Sequence, residues 1–356
     1  MKQLTILFLL LLLSGNCVFA QKPKEIISLS DSNSWSMVIL PDPQSYIKDN
    51  RYQPIFELML QWIKSNKERL NTELVLCTGD LVEQNNQPVP TGKNGNQTSE
   101  QQWNAVSRAF GILDDAVPYI LCTGNHDYGV ARAENRYSQL NSFFPVTRKS
   151  KYNELLQGML PNASGVQTLE NAYYEYTAPT GQKYLILSLE FTPRKAIVKQ
   201  ARELMESGKY KEHRIIYLTH SYLDSNGKRL GKEGYKVEDV TPGQKLWKEL
   251  IYPTPNSSMV ICGHYVGEIS HRGHVGFSTE NNCAGKPVHQ MMFNAQAEGG
   301  GWNGNGGDGW IRILEFLPDN KTVLVKTFSP LFAVSPTTQD NALRTEEYDQ
   351  FSFSLE

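Results

Sequence analysis

The sequence predicts an α/β fold in which mixed, mostly parallel sheets are flanked by helices. Early in the chain, short apolar and β-branched runs alternate with stretches of helical periodicity, which is typical of βαβ units. Farther along, the turn sequences PTGQ and LPDNK separate strands at hairpin spacing, which indicates added antiparallel strands. Together these two observations favour a pair of mixed sheets in one domain, residues 33–330.

The individual elements are predicted from local patterns along the chain. In the βαβαβ part, apolar runs predict strands over 35–40, 73–77 and 117–122, and helical spacing predicts helices over 54–69 and 100–114. Later strands are predicted over 172–176, 184–189, 214–218, 258–261, 288–293, 310–316 and 322–327. Stretches 84–98 and 298–309 are rich in polar residues and Gly and predict long loops, the second either flexible at the surface or lining a pocket.

The two ends of the chain are set apart from this domain. Residues 1–20 combine a positive start, an unbroken apolar stretch and the ending VFA, which predicts a signal peptide cleaved after Ala20. The predicted location is therefore secreted or periplasmic, with no transmembrane span after cleavage. Cys17 raises a lipoprotein alternative, which the bulky Asn16 before it disfavours. Residues 331–356 are predicted as a C-terminal extension, packed on the domain or partly disordered.

Composition and charge restrict the function classes. The 40% hydrophobic and 20% charged content is that of a globular protein with a sizeable core, which excludes a disordered or collagen-like chain. Lys and Arg number 35 against 37 Asp and Glu, for a net charge of −2. A generic nucleic-acid partner is therefore not expected, because such binding needs a basic excess to neutralise phosphates. Any anionic substrate must be met by a local site, such as a metal.

Four cysteines remain once the predicted signal peptide is removed. Cys77, Cys122 and Cys262 lie in apolar runs that lead into Gly, and we interpret them as buried thiols near strand ends. A Cys262–Cys283 disulfide is the alternative, which export would permit but which the sequence does not fix.

Polar residues that suit metal binding follow several of the predicted strands. They are Asp42 with Gln44, Asp80, the string Asn125-His126-Asp127, His220 and His264. The carboxyl ends of strands in open α/β sheets meet at one edge, so these side chains are expected to lie together. Carboxylates with imidazoles suit Mn, Fe, Zn or Ni. Two such ions about 3.5–4 Å apart can clamp both oxygens of an in-line displacement.

In this order the strings DPQ, GD, GNHD, H and GH resemble the motifs D-x-[HQ], GD, GNH[DE], H and GH-x-H of the calcineurin-like metallophosphoesterases. The resemblance covers roughly residues 35–330. The chain looks most similar to an exported branch of this family, whose LPDxQ, GDxVE and GWxRxLxF…TFSP segments are all present here. It implies a four-layer α/β/β/α sandwich of two mixed sheets flanked by helices. It also implies divalent metals, two ions in the complete site, as cofactors.

The resemblance implies a role for each motif residue. The second metal site would consist of Asp80, Asn125, His220 and His264, and the first metal site of Asp42, Gln44 and the bridging Asp80. His126 would act at the leaving-group oxygen as an acid or as a transition-state hydrogen-bond donor, oriented by Asp127, while a metal-activated hydroxide attacks phosphorus.

Two departures from the family pattern weaken the first metal site. Gln44 stands where many members have His, and Val266 takes the place of the second His of the last motif, where an apolar side chain cannot donate to a metal. Glu268, His271 and His274 are the candidates to compensate, against the plainer expectation that they are solvated or structural.

Tyr265 and Trp302 are the residues proposed to contact a substrate, with ordinary packing or a surface loop as their alternatives. The sequence therefore predicts an exported metal-dependent phosphoesterase acting on a small phosphomonoester or phosphodiester. The alternative is a protein of the same fold with one firm metal site, which binds a ligand or cleaves a non-phosphate bond. The sequence leaves open the substrate, the metal identity and the oligomeric state.

Overall fold

The computed structural model describes residues 26–267 and 270–356, and residues 1–20 and Glu268 lie outside this part. Its strands are β1 Trp35–Leu40, β2 Thr72–Cys77, β3 Tyr119–Leu121, β4 Leu156–Pro161, β5 Gln167–Thr177, β6 Lys183–Ser188, β7 Arg214–Leu218, β8 Ser257–Cys262, β9 Val275–Asn281, β10 Pro287–Phe293, β11 Ile311–Phe316, β12 Thr322–Phe328, β13 Leu343–Arg344 and β14 Phe351–Ser354. Its helices are α1 Gln44–Ile47, α2 Gln53–Asn66, α3 Ser99–Phe110, α4 Leu140–Phe143, α5 Tyr152–Leu155, α6 Lys195–Glu206, α7 Gly243–Leu246 and α8 Pro330–Ala333.

The strands form two seven-stranded mixed sheets. The first sheet has the order β13-β12-β11-β1-β2-β3, with β14 also paired to β12. The second sheet has the order β4-β5-β6-β7-β8-β10-β9. Within them, β1, β2 and β3 are parallel, as are β6, β7, β8 and β10. The carboxyl ends of each parallel group therefore lie on one edge, which is where a site is expected.

The side chains of the second sheet alternate between two apolar layers. Tyr184 and Ile186 of β6 join the large core cluster that contains the first sheet, while Leu185 and Leu187 join a separate cluster with α6. A strand covered on both faces must be apolar on both, which explains the continuous hydrophobic run of β6. Helix α6 buries Ile197 and its neighbours against this outer face.

The first sheet is covered in the same way by α2 and α3. Phe56 of α2 and Trp103 of α3 are fully buried in the large cluster. Thr98 caps α3 through reciprocal bonds with Gln101, which explains why that helix begins where it does. The predicted four-layer α/β/β/α sandwich is confirmed.

Several features lie beyond the predicted elements. The edge strands β4 and β9, helix α6 and the strands of the C-terminal part were not predicted. Residues 331–356 contribute β13 and β14, and both pair with β12 of the first sheet. Cys77, Cys122 and Cys262 are buried and free, and Cys283 is exposed and free, so the Cys262–Cys283 disulfide alternative is wrong. Among the described residues, no helix has the length and apolarity needed to cross a membrane.

Candidate metal centre

The predicted site residues come together at the carboxyl ends of the parallel strands. Each follows its strand after a short polar turn, and all are almost completely buried apart from a part-exposed His264. They are Asp42 after β1, Asp80 after β2, Asn125 after β3, His220 after β7 and His264 after β8. The two sheets thus contribute carboxylates and amide from one side and imidazoles from the other.

The second metal site converges on Nε2 of His220. This atom lies 3.1 Å from Oδ2 of Asp80, 3.2 Å from Oδ1 of Asn125 and 3.1 Å from Nδ1 of His264. The opposite ring nitrogen, Nδ1, lies 2.7 Å from the carbonyl oxygen of Thr78. Because a carbonyl only accepts, Nδ1 carries a hydrogen and Nε2 is the atom available for a ligand bond.

The turns that carry the ligands are strained and closely packed. Asp80 and His264 both adopt positive φ, 49° and 68°, a conformation that is costly for residues other than Gly and is found at functional sites. A Cβ added to Gly124 would lie 2.1 Å from Oδ1 of Asp80, and one on Gly263 would lie 2.1 Å from Oδ1 of Asp42. The glycines of GNHD and GH are therefore needed because the carboxylates approach their backbone.

Asp42 is held by donors from both sheets. Its Oδ1 accepts from the Thr78 hydroxyl at 2.7 Å, and its Oδ2 accepts from the backbone N–H of His264 at 2.9 Å. Oδ2 also accepts from Nδ2 of Asn294 at 2.9 Å. Asn294 was not predicted, although it follows β10 at the same edge, which is the signal that identified the other residues.

Among the other candidate ligands of the first metal site, Gln44 offers a buried acceptor, whereas His271 bonds to another residue and His274 is buried. Oε1 of Gln44 is buried and has no hydrogen-bond partner within the described part of the chain. Nε2 of His271 lies 2.8 Å from Oδ1 of the buried Asp349, so this histidine is structural. His274 is buried where its carbonyl accepts from the backbone of Asn294.

His126 is not oriented by Asp127, in contrast to the expected arrangement. Nδ1 of His126 lies 2.6 Å from the carbonyl oxygen of Glu83, which fixes the ring. Asp127 instead accepts from the backbone N–H groups of Gly124, Leu81 and Val82 at 2.8, 2.8 and 3.2 Å. A short carboxylate reaches the adjacent orphan N–H groups of a turn more readily than its neighbour's ring, so Asp127 shapes the turn.

The buried carboxylates and imidazoles of the site shift one another's pKa values strongly. Burial, reinforced by Asp80, raises the pKa of Asp42 to about 6 despite the opposing charge of His220. Burial would also raise the pKa of Asp80, but the charges of His220 and His126 lower this pKa to about 2. Burial likewise disfavours charge on His220, yet Asp80 and Asp42 raise its pKa to about 10. Burial and the His220 charge lower the pKa of His264 to about 3.

Two aromatic residues beyond the expected Tyr265 and Trp302 lie beside the site. Tyr265 packs against the outer core of the second sheet, and Trp302 is 45% exposed with its carbonyl oxygen held by Nζ of Lys48 at 2.6 Å. Phe191 and Tyr235 have ring centroids 6.0 and 5.9 Å from that of His264. Neither belongs to a motif, so no local pattern pointed to them.

The donor set fits a divalent cation. One ligand atom each from Asp80, His220 and His264 lies within 4.8 Å of the others. Atoms that share an ion at about 2.1 Å lie about 3.0–3.4 Å apart, which matches the spacings around His220 Nε2. The first metal site offers fewer donors: Asp42, the shared Asp80 and the unpartnered oxygen of Gln44. A cation at either place would offset the buried negative charge of these carboxylates.

Comparison with known proteins agrees with this geometry. A relative from Bacillus subtilis (strain 168), the uncharacterized protein YvnB, is 28% identical over 330 residues, which is 90% of this chain and 22% of that protein. This chain therefore spans about a fifth of the length of that relative.

Of two similar solved structures, one shares the fold of this chain. A dimetal phosphatase from Danio rerio superposes with a TM-score of 0.50 at 8% identity, covering 90% of this chain and 99% of its own. GAP50, the anchor in the inner membrane complex of Plasmodium, has a TM-score of 0.44 at 12% identity, with 91% and 89% coverage.

The residues that match the family include all five turns that carry the candidate metal ligands. The calcineurin-like phosphoesterase family matches residues 39–268, from the end of β1 to the loop after His264. That span is well over half of the chain and contains both carboxylates, Asn125 and both histidines of the centre. The chain therefore belongs to the calcineurin-like phosphoesterase family.

Proposed function

We propose that this protein is an exported metal-dependent phosphoesterase that hydrolyses a small phosphomonoester or phosphodiester. The observation that carries the proposal is the convergence of Asp80, His220 and His264 ligand atoms at one buried point. The family supports the reaction class. The proposal of export rests on the signal-like sequence of residues 1–20.

The protein's contribution begins with holding the cations. Asp80, Asn125, His220 and His264 would bind one ion, and Asp42, Gln44 and Asp80 the other. Bound divalent cations lower the pKa of coordinated water and withdraw charge from phosphoryl oxygens. The Thr78 carbonyl keeps Nε2 of His220 directed at the ligand cluster. The Thr78 hydroxyl and Asn294 keep Asp42 in place.

His126 is the residue that would move a proton. Its backbone N–H donates to Oδ1 of Asp80 at 2.9 Å, which places it beside the ligand cluster. Because Nδ1–H donates to the Glu83 carbonyl, a proton that His126 transfers is the second proton of its imidazolium form, carried on Nε2. At that atom His126 would protonate the departing oxygen of the ester, which is general acid catalysis.

The one-metal alternative has a specific observation in its favour. Val266 supplies no donor at the position where the family has a second histidine, and His271 is engaged with Asp349. A protein with only the second metal site filled would bind a ligand or cleave a different bond. Metal content separates the alternatives: two ions per chain favour the two-metal phosphoesterase, and one favours the alternative.

The deciding experiment is Mn²⁺-dependent hydrolysis of p-nitrophenyl phosphate and bis-p-nitrophenyl phosphate. Asp80→Asn is the blank, because it keeps the side-chain shape and removes the charge of the bridging ligand. Exposed Asp115→Asn is the matched control and should retain full turnover. Turnover lost in Asp80→Asn alone supports the proposal, and the preferred ester defines the substrate class. Folded, metal-loaded protein with no turnover above the blank would overturn it.

A further inference from the structure

One wall of the candidate site is aromatic. Phe191, which follows β6, has its ring centroid 6.0 Å from that of His220 and 6.0 Å from that of His264. Tyr235, from the long segment between β7 and α7, lies 5.9 Å from His264 and 5.5 Å from Phe191. Both rings therefore border the imidazoles of the second metal site.

The two rings have different access to solvent. Phe191 is fully buried, within a small apolar cluster that includes Tyr128 and Val237. Tyr235 packs against this cluster and is only half-buried. A ligand can therefore touch Tyr235 but not Phe191, which serves as a fixed support behind it.

A single guanidinium fixes the loops that carry this wall. Arg136 donates to the backbone carbonyl oxygens of Phe191 at 2.7 Å and Thr192 at 3.0 Å. It also donates to the carbonyl oxygens of Glu238 and Asp239, each at 3.1 Å. These carbonyl groups belong to two different loops, one after β6 and one between β7 and α7. Arg136 therefore connects both loops to the segment in which it lies. The segment carrying Tyr235 is thus held before a ligand arrives, which lowers the entropy cost of binding.

We propose that Tyr235 contacts the organic group of the substrate, so that the protein prefers phosphoesters carrying a flat aromatic group to those carrying a short alkyl chain. The inference rests on the proposed function and specifies its substrate class. Tyr235 is a part-exposed ring beside a metal ligand, so it offers an aromatic surface that the organic group of a bound phosphoester can contact. Aromatic pairs gain interaction free energy beyond the apolar area that they bury, which an alkyl group does not gain.

Direct binding tests this preference without any need for turnover. The probes are benzylphosphonate and ethylphosphonate, neither of which can be hydrolysed, titrated into the Mn²⁺-loaded full chain by calorimetry. We expect benzylphosphonate to bind about tenfold more tightly than ethylphosphonate in the unaltered protein. Tyr235→Leu, which keeps apolar bulk against Phe191, should remove most of that difference, whereas Tyr235→Phe should retain it.

A matched control and a kinetic measurement complete the test. Tyr252, an exposed tyrosine outside the site, gives the control Tyr252→Ala, which should retain the full preference. With benzyl and ethyl phosphate as substrates, Tyr235→Leu should raise KM for the benzyl ester more than KM for the ethyl ester. Equal affinity for both phosphonates in the unaltered protein, or equal loss for both in Tyr235→Leu, would overturn the inference. Absent turnover with a retained binding preference would overturn only the proposed function.

Discussion

At the scale of single residues, His126 and Asp127 are neighbours with different tasks. The Asp127 carboxylate accepts hydrogen bonds from backbone N–H groups. The His126 ring is held through Nδ1, and its Nε2 is the nitrogen proposed to transfer a proton. His126→Ala is therefore expected to leave metal content unchanged and to lower turnover about 10²–10⁴-fold, the usual contribution of a general acid. Metal analysis and steady-state kinetics on the same preparation check both parts.

The control for that variant is another buried histidine. His213, whose Nε2 lies 3.0 Å from Oε1 of Glu175, precedes β7 at the end of that strand opposite to His220. His213→Ala should preserve turnover per folded molecule, which separates a catalytic loss from general destabilisation. Unchanged turnover in His126→Ala would remove the proton-transfer role assigned to it.

Asn294 gives a second prediction at this scale. Its amide is one of the donors that hold Asp42, and loss of such a support typically weakens metal affinity about 10–100-fold. Asn294→Leu should therefore weaken the ion at the first metal site while the second keeps its affinity, as measured by metal titration. The control is Asn282→Leu, since the Asn282 amide bonds to backbone groups of the turn after β9 and of the start of β8, not to a metal ligand. Equal weakening of both sites would contradict this role.

The motif residues of the site could be predicted because position after a parallel strand is visible in sequence. Asp42, Asp80 and His220 all obey this rule, and so does Asn294, which lacked only a motif to draw attention to it. Tyr235 lies in the middle of a long segment, and its place depends on Arg136 bonding to distant carbonyls. No local pattern contains that information. The partner of Asp127 was likewise set by turn geometry rather than residue type.

At the scale of elements, the glycine-rich segment 298–309 is fitted against α1. Tyr46 of α1 accepts from the backbone N–H of Gly309 at 2.9 Å, and a Cβ on Gly306 would lie 2.4 Å from the Tyr46 ring. This segment is therefore packed beside the helix that carries Gln44 and is not a free surface loop. Its glycine content reflects close approach as well as turn conformation.

This packing predicts different costs for two glycine substitutions. Gly306 and Gly301 both have positive φ, 99° and 75°, but a Cβ on Gly301 meets nothing within 4 Å. Gly301→Ala should cost about 1 kcal/mol of unfolding free energy from backbone strain. Gly306→Ala should cost about 1–3 kcal/mol more from overpacking against Tyr46. Denaturant unfolding of the two variants measures the difference, and equal costs would contradict the packing.

The elements that the sequence did not reveal are mainly edge strands. β4 and β9 lie at the two edges of the second sheet, and most of their residues are partly or fully exposed. An edge strand covered on one side needs no continuous apolar run, so β9 reads VGFSTEN. Central strands such as β7 are covered on both faces, and their apolar runs gave bounds that agree with the structure.

At the scale of the whole molecule, a buried ionic network joins both sheets to the C-terminal residues. Arg312 of β11 is fully buried, stacks 4.6 Å from the ring of Phe293 in the second sheet, and donates to Oδ1 of Asp349 at 3.1 Å. His271, after β8, meets the same Asp349 oxygen at 2.8 Å. Asp349 thus compensates the buried Arg312 and connects the C-terminal segment to the loop that follows the ligand His264.

This network makes stability depend on pH in a defined direction. Burial alone would raise the pKa of Asp349, but the hydrogen bond and charge of His271, with the charge of Arg312, lower it below its usual value. A lowered pKa in the folded state stabilises the fold fully above the unfolded pKa, about 3.9, and that stabilisation is lost as pH falls through the folded pKa.

Asp349→Asn should therefore lower stability at pH 7 by about 3 kcal/mol, because Arg312 is left without its counter-charge. Thermal unfolding should show the difference between the variant and the unaltered protein staying near its pH 7 value down to about pH 4 and shrinking at lower pH, as Asp349 becomes protonated in the folded state. Exposed Asp115→Asn should show no such difference at pH 7. A gap that stays constant down to about pH 1 would mean that the Asp349 charge does not stabilise the fold.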